Sequence, residues 1–256
     1  MQAEWPRLDR VPVALPPLGG ALSALWATLL DLAERLTDVP WTVIGGQMVL
    51  LHALEHGTMP PRFSTDIDAA VDVRTAPKGV SRIVAELQAL DFRATGASPE
   101  GYVHRFERIT TEGTAIVDVL VPEGLGPRTD TTTVKPGRAF PVPGATQALV
   151  RTELVPIRRG DGIAWLPRPS LLGAVVAKAM AATIDRREAD RHLVDLAFLC
   201  GLVDEPLVLR EAVASKDRAR LAKAAALLPR EHPAWEAAGD PDQAWAAWRL
   251  LRASAG

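Results

Sequence analysis

Apolar residues recur at helical spacing from 22 to 36, where Leu22, Leu25, Trp26, Leu29, Leu32, Ala33 and Leu36 share one face, and this predicts an amphipathic helix. Pro40 interrupts the pattern. Trp41 to Ile44 then reads as a short buried strand that ends at Gly45-Gly46, with a helix from Gln47 to about Glu55. After the loop HGTMPPR the pattern changes to strict alternation in FSTDIDAAVDV. Phe63, Thr65, Ile67 and Ala69 fall on one face, and Ser64, Asp66 and Asp68 on the other.

A helix is predicted from about Pro77 to Leu90. YVHRFERIT and TAIVDVLVP, joined by a turn at Glu112-Gly113, predict a β-hairpin with Asp118 inside its second strand. Residues 123–146 are rich in Gly, Pro and Thr and read as a long loop with one strand at AFPVP. QALVRTELVPIRR and IAWLP, linked by Gly160-Asp161-Gly162, predict a second hairpin. Beyond Pro169 the pattern is helical, in SLLGAVVAKAMAATI, ADRHLVDLAFLCGL, DEPLVLREAVASKDRARLAKAAALL and PDQAWAAWRLLRA. The expected fold is α+β, a mixed sheet flanked by helices with a helical C-terminal part. We expect two domains, 1–168 with the N-terminal helix and 169–256 completing the active site.

The bulk numbers allow an enzyme and narrow its setting. With 256 residues, 48% hydrophobic and 23% charged, the chain can bury a core. It is too apolar to be disordered, and no run approaches the ~20 apolar residues of a spanning helix. The N-terminal MQAEWPRLDRVPVALPP lacks the basic-then-apolar order of a signal peptide, so a cytoplasmic, non-membrane protein is expected. Cys200 is the only cysteine and lies in an apolar helical stretch, which excludes disulfides and cysteine-ligated zinc and predicts a buried, inert thiol.

Net charge is -2, without the global basic excess of a dedicated nucleic-acid binder. The charge is uneven: residues 158–230 carry 13 Lys/Arg against 9 Asp/Glu, and the first 150 residues carry 13 against 17. The histidines His52, His56, His104 and His192 form no metal or triad spacing. The tryptophans Trp26, Trp245 and Trp248 fall at core spacing and read as packing.

The chemistry concentrates at Asp66 and Asp68. Two residues apart on a strand, they leave the same face with Cα atoms roughly 6.5 to 7 Å apart. Carboxylates that close repel, and a divalent cation held between them removes the repulsion; paired cations of this kind serve in-line phosphoryl displacement. A lone D-x-D is a weak signal. Gly45-Gly46 adds a strand end that opens a helix without side-chain obstruction, suited to phosphate oxygens or simply a tight turn. Asp118 sits mid-strand among apolar neighbours, where it either completes a carboxylate triad or lies on an exposed edge. Lys178, inside LLGAVVAKAMAAT, either snorkels to the surface or reaches a triphosphate.

The order GGQMVLLHA, RFSTDIDA, VDVLVP, LPRPSLLGAVVAKAMA and DRHLVDLAFL resembles the AbiEii-type nucleotidyltransferase toxins, within the DNA-polymerase-β-like superfamily, over roughly residues 41–200. The resemblance implies a metal-dependent nucleotidyltransferase that moves NMP from an NTP to RNA, such as the tRNA 3′ end, as the toxin of a toxin-antitoxin pair with a cognate antitoxin. Asp66 and Asp68 match its Mg2+ or Mn2+ ligands, and Gly45, Gly46, Arg62 and Ser64 its nucleotide-binding segment, with Asp118 a further candidate ligand. Lys178 matches its helical lysine, Arg186 or Arg187 a later arginine, and Asp195 the final acidic residue. The chain departs from the pattern where Arg191-His192 replaces Lys-Asp, and Asp195 then also has an i, i+4 pairing with Arg191 open to it. Two other functions remain open: a small-molecule, antibiotic-type nucleotidyltransferase, and a catalytically silent nucleotide-binding module.

Overall fold

The computed structural model describes residues 5–17, 19–111, 113–185, 187 and 189–253. Glu112 and Arg186 lie outside them. The chain divides into two compact units, one of residues 1–48 and 64–169, the other of 49–63 and 170–256.

The first unit is built on a mixed sheet. The helix α1 (Gly20–Arg35) takes the predicted apolar face: Leu25, Trp26, Leu29 and Leu32 are buried. It leads to β1 (Trp41–Ile44), the start of α2 (Gly45–Glu55), β2 (Asp66–Val71) and α3 (Gly79–Ala89). A short β3 (Arg93–Ala94), then β4 (Arg105–Thr110), β5 (Gly113–Pro122) and β6 (Phe140–Val142) complete the sheet. The strand order is β1-β2-β5-β4-β3, with β6 pairing alongside β5. The pairs β2–β5 and β5–β6 are parallel; β1–β2, β4–β5 and β3–β4 are antiparallel. β5 is therefore interior, paired on both sides, and its residues from Val117 to Val121 are all buried. α1 and α3 pack on the sheet.

The hairpin of β7 (Thr152–Arg159) and β8 (Gly162–Pro169) also belongs to this unit, and the N-terminal segment runs beside it through bridges at Arg7–Leu154 and Val13–Ile157. The predicted strand over residues 147–151 is instead the helix α4 (Ala145–Val150), entered through Gly144 in the left-handed region at φ 85°. The apolar run that continues into β7 hides this boundary, because one short helical turn and a buried strand look alike by hydrophobic pattern.

Among the described residues the second unit holds the rest of α2, a 3-10 helix (Pro233–Ala237) and five α-helices: α5 (Leu171–Ile184), α6 (Ala189–Gly201), α7 (Pro206–Glu211), α8 (Ser215–Ala225) and α9 (Pro241–Arg252). α6 is central to it, packed on α5 and α9. Ser170 caps α5 by accepting from the Gly173 amide, and Asp240 caps α9 by accepting from two amides, as expected for these residue types at helix starts. The single helix predicted over residues 204–228 is two: Ala214 is extended (ψ 157°) and Val213 turns into the core, a break unmarked by Gly or Pro. Cys200 is fully buried, and desolvation pushes its thiol well above the ordinary range, so it is inert. Among the described residues no helix is long and apolar enough to cross a membrane.

The fold is thus α+β, a mixed sheet flanked by helices with helices in the C-terminal part, as the sequence pattern predicts.

Candidate active site

Asp66 and Asp68 bracket Ile67, whose side chain is fully buried, so alternation sends both carboxylates to the opposite face of β2. The register then completes a row. Ile44 on β1 pairs with Asp68, Asp68 with Asp118 on β5, and Asp118 with Arg105 on β4. Directly paired residues in neighbouring strands project to the same face. Asp118 is only 6% exposed, between the fully buried Val117 and Val119, and it occupies an interior strand rather than an exposed edge. One ligand oxygen from each of Asp66, Asp68 and Asp118 lies within 4.8 Å of the others.

Asp66 and Asp118 each have a positioning partner. Ser64 Oγ donates to Asp66 Oδ1 at 2.5 Å. Gln47, 1% exposed in the first turn of α2, donates from Nε2 to the carbonyls of Ser64 (2.9 Å) and Asp66 (3.2 Å), which ties the entry of β2 to the start of that helix. Arg105 grips Asp118 through two hydrogen bonds, Nε to Oδ1 at 2.9 Å and Nη2 to Oδ2 at 2.7 Å, and its Nη2 is 3.5 Å from Asp66 Oδ2. The hydrogen bonds to Asp118, assisted by the charges of Asp118, Asp66 and Asp68, raise the already high pKa of this guanidinium, against desolvation. The site thus carries three carboxylates and, hydrogen-bonded to Asp118, the Arg105 guanidinium.

Gly45 and Gly46 are the first two residues of α2. Gly45 has φ +68°, and a Cβ there would lie 1.8 Å from Asp68 Oδ2; one at Gly46 would lie 2.3 Å from Ser64 Cβ. The glycines let the helix start lie directly against the acidic strand, a demand of both backbone conformation and space.

Arg62, Lys178 and Asp195 form a cluster inside the second unit. Lys178, 4% exposed, does not snorkel: its Nζ donates to Asp195 Oδ2 at 2.7 Å. Arg62 donates from Nε to Asp195 Oδ1 at 3.0 Å and from Nη2 to Oδ2. Asp195 is 1% exposed, so both cations compensate a carboxylate that would otherwise be costly to bury. Arg187 lies just before α6, in a turn where its amide donates to Asp185.

Sequence pattern alone passed over Arg105 and Gln47. Arg105 had a signal: a hairpin closing with Thr110 opposite Gly113 places Arg105 opposite Asp118 by counting back along both strands. Gln47 had none, since its targets are backbone carbonyls.

The donor set is all carboxylate oxygen, which suits hard cations such as Mg2+ or Mn2+ rather than soft metals. Gly45 leaves open the space beside Asp68 Oδ2 that a Cβ would fill.

No family model and no curated protein matches the chain. Among solved structures it is similar to an antigenic nucleotidyltransferase-like protein from Paracoccidioides brasiliensis, with a TM-score of 0.51 and 15% identity over 84% of this chain and 93% of that one. At that identity the likeness concerns the fold, α+β with a mixed sheet, which this chain shares with that nucleotidyltransferase-like protein.

Proposed function

We propose that the chain is a metal-dependent nucleotidyltransferase that moves NMP from an NTP to a hydroxyl acceptor, with loss of pyrophosphate. The observation that carries this reading is the Asp66, Asp68 and Asp118 cluster, with ligand oxygens within 4.8 Å, on a fold of nucleotidyltransferase type.

Asp66 and Asp68 would hold Mg2+ or Mn2+, with Asp118 as third ligand. A bound cation would neutralise charge on the transferring phosphoryl group and on the leaving pyrophosphate. The chain's own part is positioning. Ser64 and Gln47 fix Asp66 and the start of β2. Gly45 and Gly46 open α2 with no acidic residue of its own in the first turn and no Cβ at either position, so the helix start would meet the donor phosphates without side-chain obstruction. Asp118 takes the proton of the acceptor hydroxyl as the new ester bond forms.

For the acceptor we assign an RNA 3′ end, tRNA included, in a growth-arresting toxin restrained by an antitoxin; support for these finer points is the resemblance to AbiEii-type proteins. The test is incubation of the purified protein with each labelled NTP, Mg2+ and total RNA. Labelled RNA is expected. Label transferred only to small hydroxylated compounds would replace RNA with a drug-like acceptor, and no transfer or pyrophosphate release with any acceptor would leave a silent binding module.

A further inference from the structure

Arg105 sits at the meeting of two features. One is the carboxylate row, in which it holds Asp118 with two hydrogen bonds and lies 3.5 Å from Asp66. The other is an open cavity of about 340 Å³, lined by Thr95, Gly96, Ser98, Tyr102, His104 and Arg105 itself. The arginine side chain is 42% exposed, so it is not locked in place by packing.

The cavity presents polar groups beside apolar surface. Thr95 Oγ1 and His104 Nδ1, on two of its lining residues, are buried and have no hydrogen-bond partner among the described residues. Buried polar atoms are ordinarily paired, so these two mark an incompletely satisfied wall behind the cavity, and the group open to a ligand is the half-exposed Arg105 guanidinium. A second cation stands near: the Arg138 guanidinium lies 5.4 Å from the centre of the Tyr102 ring. Arginine's planar fork fits phosphate as well as it fits carboxylate.

The cavity's side of the site is also defined. The start of α2 abuts Asp68, since a Cβ on Gly45 would strike its carboxylate, and Arg105 abuts Asp118. Along the row, the glycine turn and Arg105 stand at opposite ends, with the carboxylates between them. A donor nucleotide at the glycine end leaves the Arg105 end to the acceptor.

Resting on the donor and acceptor reading above, we propose that this cavity is the acceptor subsite, that it takes a phosphate-bearing acceptor, and that Arg105 transfers from Asp118 to the acceptor's phosphate, freeing the Asp118 carboxylate. Arg105 is thereby a specificity-determining residue. With no anion in the cavity, Asp118 stays occupied by the guanidinium; an acceptor lacking phosphate leaves it so.

The test uses adenosine 5′-monophosphate as probe and adenosine as neutral control, in EDTA, with binding followed by calorimetry on the full chain. Phosphate and Asp118 compete for one guanidinium, so Asp118→Asn should bind the monophosphate more tightly than wild type, by about three- to tenfold for a partly exposed, hydrogen-bonded charge pair. Arg105→Gln should lose that binding, and adenosine should respond to neither change. In wild type, the Arg105 Nε resonance, assigned by its absence in Arg105→Gln, should shift on adding the monophosphate. Equal affinity in all three proteins, or weaker binding in Asp118→Asn with no movement of that resonance in wild type, would overturn the proposal. No metal or NTP is present, so a separate Mn2+ titration of wild type distinguishes failure of this subsite from failure of the metal site.

Discussion

Lys178 places its ammonium 2.7 Å from Asp195 in the interior of the second unit, with Arg62 on the same carboxylate. Two cations on one buried anion set a rank order. Asp195→Asn strands the buried ammonium and should cost about 3–5 kcal/mol of stability. Lys178→Met leaves Asp195 paired with Arg62 and should cost less, about 1.5–3 kcal/mol. Arg62→Met, at a side chain 28% exposed, should cost least. Urea denaturation of the three variants checks the order, and a Lys178→Met loss larger than that of Asp195→Asn would contradict it.

Gly45→Ala should damage the acidic site more than the fold. A methyl at φ +68° costs on the order of 1 kcal/mol by backbone conformation, and here it must also displace the Asp68 carboxylate. The expected outcome is a sharp loss of Mn2+ affinity in calorimetry, with a cooperative unfolding transition retained. Wild-type Mn2+ affinity in Gly45→Ala would show that the close approach of Gly45 to Asp68 has no bearing on the site.

Stability should fall with mild acid, in part through His192. Its pKa is lowered, first by burial and then by Lys178, with the hydrogen bond to Asp185 opposing and smaller contributions from Arg191 and Asp195. The neutral ring is therefore the folded form. Above the unfolded value of about 6.5 both states are neutral and the contribution is at its full value. Below it the unfolded chain binds the proton first, so stability declines as the pH falls through the folded pKa. His192→Gln should flatten the decline below about pH 6.5, and an unchanged slope would assign the acid sensitivity elsewhere.

The parts of this fold that were legible were those fixed by local periodicity. The Trp41 to Ile44 strand and the Asp66, Ile67, Asp68 alternation could be read from one short window each, because burial on one face imposes the period directly. Asp118 was legible as a strand residue but not as a neighbour of Asp68. The β2–β5 pairing is parallel and spans about fifty residues of chain, and no turn fixes its register. Lys178 illustrates a different gap. Its position in an apolar helix fitted snorkelling equally well, and what decides is a carboxylate 17 residues on plus an arginine 133 residues from that carboxylate. Arg105 was within reach by hairpin counting, yet an arginine on a strand beside Glu107 reads as ordinary polar alternation until the interior place of β5 is known.

On the function proposed above, Asp68 and its neighbours Asp66 and Asp118 hold a divalent cation for nucleotidyl transfer. The most direct measurement is Mn2+ binding by calorimetry, run beside transfer from labelled NTP, for wild type and Asp68→Asn, an isosteric change that keeps the side chain and removes the charge. Wild type should bind Mn2+ and transfer label. Asp68→Asn should bind at least tenfold more weakly, a loss of about 1.4 kcal/mol or more, and transfer none above background, while unfolding at or above the wild-type denaturant midpoint because one of three crowded carboxylates has lost its charge. Equal Mn2+ affinity and equal transfer in the two proteins would contradict the account.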